Sequence, residues 1–200
     1  MNSIAKNKNR GLKLADILVT VFIAVVFGII YRVWSSVYDL AKLAGLQMEQ
    51  LTYGMWFMAA TVAFLIIRKP GVALLAEVAA GFAEMVMASS YGLESLTYGI
   101  VQGLLAEIVF AAFLYRNFSL GVTCLAGLGA GIGCIAMDWF KGYMFELNAW
   151  NLTLYVVFKL ISAIVITGVF AYYLVKALEK TGVTQLVRPA AKEDYEALNR

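Results

Sequence analysis

Residues 71–92 read GVALLAEVAAGFAEMVMASSYG. The run is apolar enough to cross a bilayer, and its length matches the roughly 20 residues that a helical span takes. It nonetheless holds two carboxylates, Glu77 and Glu84. An ionised group at membrane depth costs at least about 2.5–3.5 kcal/mol on insertion scales, so such groups face a cavity or a partner and not lipid. Seven residues make nearly two helical turns, which puts both acids on one face about 10.5 Å apart. An apolar helix with one acidic face belongs in a bundle built around something polar.

The same texture extends through the chain. Of 200 residues, 62% are hydrophobic and only 14% charged, against about 45–50% and 25% in soluble domains. The mean hydropathy is +0.79, and the charges fall between long apolar runs. Further runs lie over residues 15–34, 51–68, 98–115, 118–138 and 154–176. With the third span at 71–90 they predict an all-α integral membrane protein, a bundle of six transmembrane helices. No alternating segments of about ten residues suggest a β-barrel. Between the first two spans, SSVYDLAKLAGLQMEQ carries Val37, Leu40, Ala41 and Ala44 at helical spacing, which predicts a short interfacial helix or a loop folded back on the bundle. The apolar run behind MNSIAKNKNRGLKLAD is too long for a signal core and lacks a small-residue cleavage site, so it is expected to stay as the first span. The domain plan is one transmembrane domain over residues 1–180 and a short polar cytoplasmic tail over 181–200.

Lysine and arginine placement sets the orientation. One side collects Lys6, Lys8, Arg10, Lys13, Arg68, Lys69, Arg116, Lys176, Lys180, Arg188 and Lys192, while the other has Lys42 and Lys141, with Arg32 at the border. Both termini are therefore expected in the cytoplasm (N-in/C-in), in a multi-pass protein of the cell membrane. The outer connections, residues 35–50, 91–97 and 139–153, are longer and richer in aromatic and polar groups than the inner turns. Singly, such residues read as an interfacial aromatic belt; as a set, they read as caps over an outward pocket.

Beneath those caps, Glu84, Gln102 and Lys159 fall in the outer halves of their spans and Asp138 closes the fifth. Glu107 is placed near mid-depth, and Lys159 is expected to pair with Glu107 or Glu84 if its role is structural. Glu77, in the inner half of its span, reads as a group that snorkels or makes a helix–helix hydrogen bond on the cytoplasmic side. Carboxylates and a carboxamide suit an aminopyrimidine-like edge, and Trp or Tyr faces suit a flat or cationic ring. On this chemistry the substrate-contact candidates are Glu84, Gln102, Asp138 and Lys159, with Tyr91 in the outer connection above them.

Other chemistry finds little support. The basic residues form no stripe for nucleic acid, and there is no histidine. Cys124 and Cys134 are ten residues apart in one span, about 15 Å and too far for a disulfide. Neither a Walker motif, a G-x-S-x-G elbow nor an H-E-x-x-H helix occurs, so no enzyme, metal or bound cofactor is expected. In LAGLGAGIGCIA, residues 125–136, the pairs Gly127/Gly131 and Gly129/Gly133 allow close helix approach. Thr20, Ala24 and Gly28 make a small-residue stripe on the first span, suited either to docking a second membrane protein or to packing within its own bundle.

GVALLAEVAAGFAEMV, YGIVQGLLAEIVFAAF and GIGCIAMDW, within six spans and aromatic outer loops, resemble the S components of energy-coupling factor (ECF) vitamin transporters, YkoE-type, assigned to thiamine or its hydroxymethylpyrimidine moiety. The resemblance implies an S-component fold whose outer pocket captures the vitamin, while a separate T component and two ATPase subunits use ATP. It also implies that the first span, through Thr20, Ala24 and Gly28, faces the T component, and that Glu84, Gln102, Asp138, Trp139, Trp150 and Asn151 line or cap the outer pocket. The alternative from another class is a stand-alone proton-coupled transporter of a small cationic solute, with Glu84 or Glu107 as the proton site.

Overall fold

The computed structural model describes residues 11–87, 89, 91–182 and 184. Lys6, Lys8 and Arg10 lie outside the described residues, as does all but Thr181, Gly182 and Thr184 of the tail expected over 181–200. Among the described residues every regular element is helical, and the chain runs through the bundle six times. The first pass is α1 (Leu14–Lys42). The second is a 3-10 helix (Met48–Phe57) continued by α2 (Met58–Ile67). Then follow α3 (Val72–Val86), α4 (Leu93–Ala112) and α5 (Leu120–Phe140). The sixth is α6 (Ala149–Ser162), a π-helical stretch (Ala163–Phe170) and α7 (Ala171–Lys180).

Five of these passes are long and apolar enough to cross a membrane. The exception is α3, whose 15 residues rise only about 22 Å. It ends at Val86 and not near residue 90 because Ser89 turns back: its hydroxyl donates to Glu84 Oε1 at 3.2 Å, and Gly92 follows at φ 53°. The outward surface carries Leu18, Phe22, Ile29, Ile108, Ile132 and Val165, all exposed, as a lipid-facing shell requires. This is a multi-pass membrane protein.

Two expectations about the first span are corrected. Residues 35–42 form neither a loop nor a separate interfacial helix; they extend α1 to 29 residues. The helix then reverses through Gly45, Leu46 and Gln47, all at positive φ, a conformation that costs non-glycine residues about 1–2 kcal/mol each. The stripe of Thr20, Ala24 and Gly28 is buried inside the bundle. A Cβ on Gly28 would sit 2.5 Å from the Ala83 side chain and 3.0 Å from the Ala80 carbonyl oxygen. Smallness there serves contact with α3, so these residues present no surface to a partner, and the outward side of α1 is made of large apolar groups.

The glycines of α5 work in the same way on two sides. A Cβ on Gly127 would meet the Ala163 carbonyl oxygen at 2.5 Å, while one on Gly133 would meet Val101 and Leu105 of α4 at 3.1 Å. One pair thus seats the sixth pass and the other seats α4. Seryl and threonyl groups of the sixth pass also hold the second: Gly54 N–H donates to Ser162 Oγ at 2.7 Å, and Thr167 Oγ1 donates to the Gly54 carbonyl at 2.5 Å.

Two carboxylates from apolar runs close helix ends that would otherwise leave N–H groups unpaired. Glu107 accepts from Gly71, Ala73 and Leu74 N–H at 2.6, 2.9 and 3.2 Å, capping α3 across the bundle. It therefore belongs to the end where Lys69 pairs with Asp16 at 2.5 Å and Arg68 with Glu179 at 3.0 Å. Neither the expected mid-depth position nor a pairing with Lys159 holds. Glu77 accepts from Ala60 N–H at 2.8 Å and from the Tyr31 hydroxyl at 3.0 Å, and Tyr31 in turn accepts from Ala59 N–H at 2.9 Å. Together they cap α2 where the 3-10 helix gives way to it.

Candidate solute-binding site

At the end of the bundle opposite Arg68 and Lys69 lies a cavity of about 260 Å³, near the lower limit of the ~300–1,000 Å³ usual for small-molecule sites. Every pass contributes to it. Tyr31 and Tyr38 come from α1, seven residues apart and so on one face, and Glu77, Gly81 and Glu84 come from α3. From α4 come Glu94, Ser95, Tyr98, Gly99 and Gln102, with Asp138 from α5, Tyr143 from the following loop and Tyr155 from α6. The 3-10 helix supplies Glu49, Gln50, Tyr53 and Trp56. Its three-residue turn is what lines up Gln50, Tyr53 and Trp56.

One wall is aromatic. Tyr38 stands edge-on to Tyr53 and Trp56, at centroid distances of 5.8 and 5.6 Å, and Tyr53 lies 5.3 Å from Trp56. Tyr91 closes on Trp56 edge-on at 6.3 Å. Burial pushes the Tyr91 phenol up to about 12, so it stays neutral at physiological pH.

Glu84 sits beside this wall, 1% exposed, its Oε1 accepting from Trp56 Nε1–H and the Ser89 hydroxyl, each at 3.2 Å. Neither donor is a cation, and no ion pair reaches Glu84 among the described residues. Glu94 differs: Lys141 Nζ lies 2.6 Å away and the Tyr143 hydroxyl 2.9 Å. That carboxylate holds the Lys141 ammonium above its ordinary pKa.

Asp138 is the centre of a second polar group. Its Oδ1 accepts from the Tyr98 hydroxyl at 2.7 Å, and its Oδ2 from Tyr155 at 2.8 Å and Lys159 Nζ at 2.5 Å. Lys159 is fully buried, with its ammonium 3.9 Å from the Tyr53 ring centre. The ion pair expected with Glu107 or Glu84 is thus made with Asp138. Lys159 lies behind the lining, and its charge is spent on Asp138.

Of the sequence-derived candidates, Glu84, Gln102, Asp138 and Tyr91 line the cavity. Trp139, Trp150 and Asn151 do not. Trp139 packs edge-on against Phe145 at 5.1 Å and is more than half exposed, Trp150 is exposed, and Asn151 N–H serves the Asn148 cap of α6. Tyr38 and Glu49 lie in the connection expected to cap the pocket but were not singled out, and the lining residues missed altogether include Tyr98, Tyr155, Gln50, Tyr53 and Trp56. The signal for the last three was Q-x-x-Y-x-x-W, a three-residue repeat.

Glu77→Gln offers a check on the division of labour. One amide N–H₂ would face a donor where a carboxylate oxygen now accepts, and an unmet buried hydrogen bond costs about 1–3 kcal/mol. Thermal unfolding in detergent is expected to show that loss, with a much smaller change in solute affinity than Glu84→Gln causes.

A membrane bundle with a polar, aromatic cavity at one end has the form of a solute-binding membrane protein. Comparison with known proteins gives the particular kind. Residues 15–133 match the family model described as the permease component of an ABC-type cobalt transport system. The chain is 32% identical over 172 residues, 86% of each protein, to the protein of Bacillus subtilis (strain 168) that carries the name "Putative HMP/thiamine permease protein YkoE". It also superposes with a TM-score of 0.84 and 29% identity on the crystal structure of an S-component of an ECF transporter, covering 94% of this chain and 95% of that one. The chain belongs to the YkoE-type S components of ECF transporters. It is a transporter subunit and not an enzyme, and an S component works with a T component and ATPase subunits.

Proposed function

We propose that this S component captures thiamine, or its hydroxymethylpyrimidine moiety, from the outer face of the cell membrane. The observation that carries the reading is Glu84, a buried carboxylate that has no ion pair among the described residues and lies beside the Tyr38–Tyr53–Trp56–Tyr91 wall. The acid suits the amino edge of a pyrimidine, and the rings suit a cationic heterocycle. Gln102 and Asp138 complete the polar lining, with Lys159 neutralising Asp138 from behind. The naming of the Bacillus relative supports the same substrate.

The family model's description names cobalt, but the cavity favours an organic solute. Among the described residues no three His, Cys, Asp or Glu side chains gather as a metal site. The termini lie in the cytoplasm, following the lysine and arginine distribution. The binding domain is assigned to residues 1–180, with 181–200 left outside it. ATP is consumed by partner subunits, and this chain binds no cofactor.

Flux assays in liposomes separate capture from solitary carriage. The purified chain alone is expected to bind thiamine without accumulating it, with or without a proton gradient. Gradient-driven uptake by the chain alone would replace this reading with a proton-coupled carrier.

A further inference from the structure

We propose that Glu49, acting with Glu84, selects the solute by charge, so that the cavity admits a cationic solute and rejects the phosphate ester of the same molecule. The inference deepens the thiamine reading and rests on it.

The cavity's acids are not equivalent. Asp138 is paired with Lys159 and Glu94 with Lys141, while Glu77 is spent on the Ala60 N–H and the Tyr31 hydroxyl. Glu49 and Glu84 are left, 9% and 1% exposed, and among the described residues neither has an ion pair. Arg32 acts on Glu84 only through space. The two acids flank the aromatic wall: Glu84 holds the indole N–H of Trp56, and Glu49 is linked through the Gln50 amide to the Tyr38 hydroxyl, both hydrogen bonds being 3.3 Å.

Gln50 gives a separate indication of a ligand. It lines the cavity and is 1% exposed, and both bonds of its N–H₂ are made within the protein, but Oε1 has no partner among the described residues. Turning the amide over would set that oxygen against the Glu49 carboxylate, so the orientation is fixed by charge. A buried acceptor without a donor is unfavourable, and a solute N–H is what would relieve it. Two unpaired carboxylates, π faces and an unmet acceptor all attract cations and N–H donors, and all oppose a phosphate. Like charges forced together in a desolvated site are strongly penalised.

The test is a pair of affinities, for thiamine and thiamine monophosphate, measured calorimetrically on the detergent-purified full chain. Wild type is expected to prefer thiamine by about 100-fold, and Glu49→Gln to narrow that ratio to about 10-fold. The Gln carbonyl can still accept from Gln50, so the substitution removes charge and keeps the hydrogen bond. Glu49→Asp is expected to retain most of the preference. A purely structural role would weaken both ligands equally and leave the ratio unchanged, which would overturn the assignment. So would equal binding of the two ligands by wild type, although thiamine capture would then stand. Wild type that binds neither removes both readings.

Discussion

Lys159→Met is expected to destabilise the protein by about 3–5 kcal/mol, the usual cost of stranding one member of a buried ion pair. The ammonium is fully buried and contacts Asp138 at 2.5 Å, so its removal leaves a carboxylate with three uncharged donors, the Tyr98 and Tyr155 phenols and the Cys134 thiol. The same logic predicts rescue. Lys159→Met combined with Asp138→Asn removes both charges, and replacing a whole buried pair is often neutral. Unfolding in detergent, by heat or graded SDS, should therefore rank the double variant above the single one. Equal losses in both would mean that the packing of the lysine stem matters and the charge pairing does not.

The second large effect is on the solute. Glu84→Gln is expected to weaken thiamine binding by roughly 10- to 100-fold, the range that follows from losing one charge-assisted hydrogen bond at about 1.5–3 kcal/mol. The substitution is informative because the carbonyl of glutamine can still accept from Trp56 and Ser89, as Glu84 Oε1 does. Stability is thus expected to change little while affinity falls. Unchanged calorimetric affinity would take Glu84 out of the site.

The contrast between Glu84 and Glu107 shows how far sequence reading reaches. Both are acids in apolar runs, and seven-residue spacing correctly sets Glu77 and Glu84 on one side of α3 facing the cavity. Hydropathy cannot show that an acid caps a helix from a different part of the chain. Glu107 serves α3 from α4, and Glu77 serves α2 from α3. Such partners lie 34 and 17 residues away in sequence, and only packing brings them together.

The aromatic wall was hidden for another reason. Residues 35–50 contain enough polar groups to resemble a loop, but α1 continues to Lys42 and carries Tyr38 with it. Gln50, Tyr53 and Trp56 fall at a spacing of three, which becomes a common face only if the backbone is 3-10 and not α. Trp139 and Trp150 looked equivalent to Trp56 by composition. Their exposure follows from lying at the end of α5 and the start of α6, beyond the cavity rim. The glycine pairs of α5 were legible as close-packing positions, but which helix each pair meets was not.

Thiamine titration of the detergent-purified chain, followed by tryptophan fluorescence beside a Trp56→Phe variant, tests the central claim most directly. Trp56 is the tryptophan that lines the cavity. Capture there predicts a saturable change at one thiamine per chain in wild type, largely lost in Trp56→Phe. No saturable change with thiamine or hydroxymethylpyrimidine, or a change that survives intact without Trp56, would contradict it.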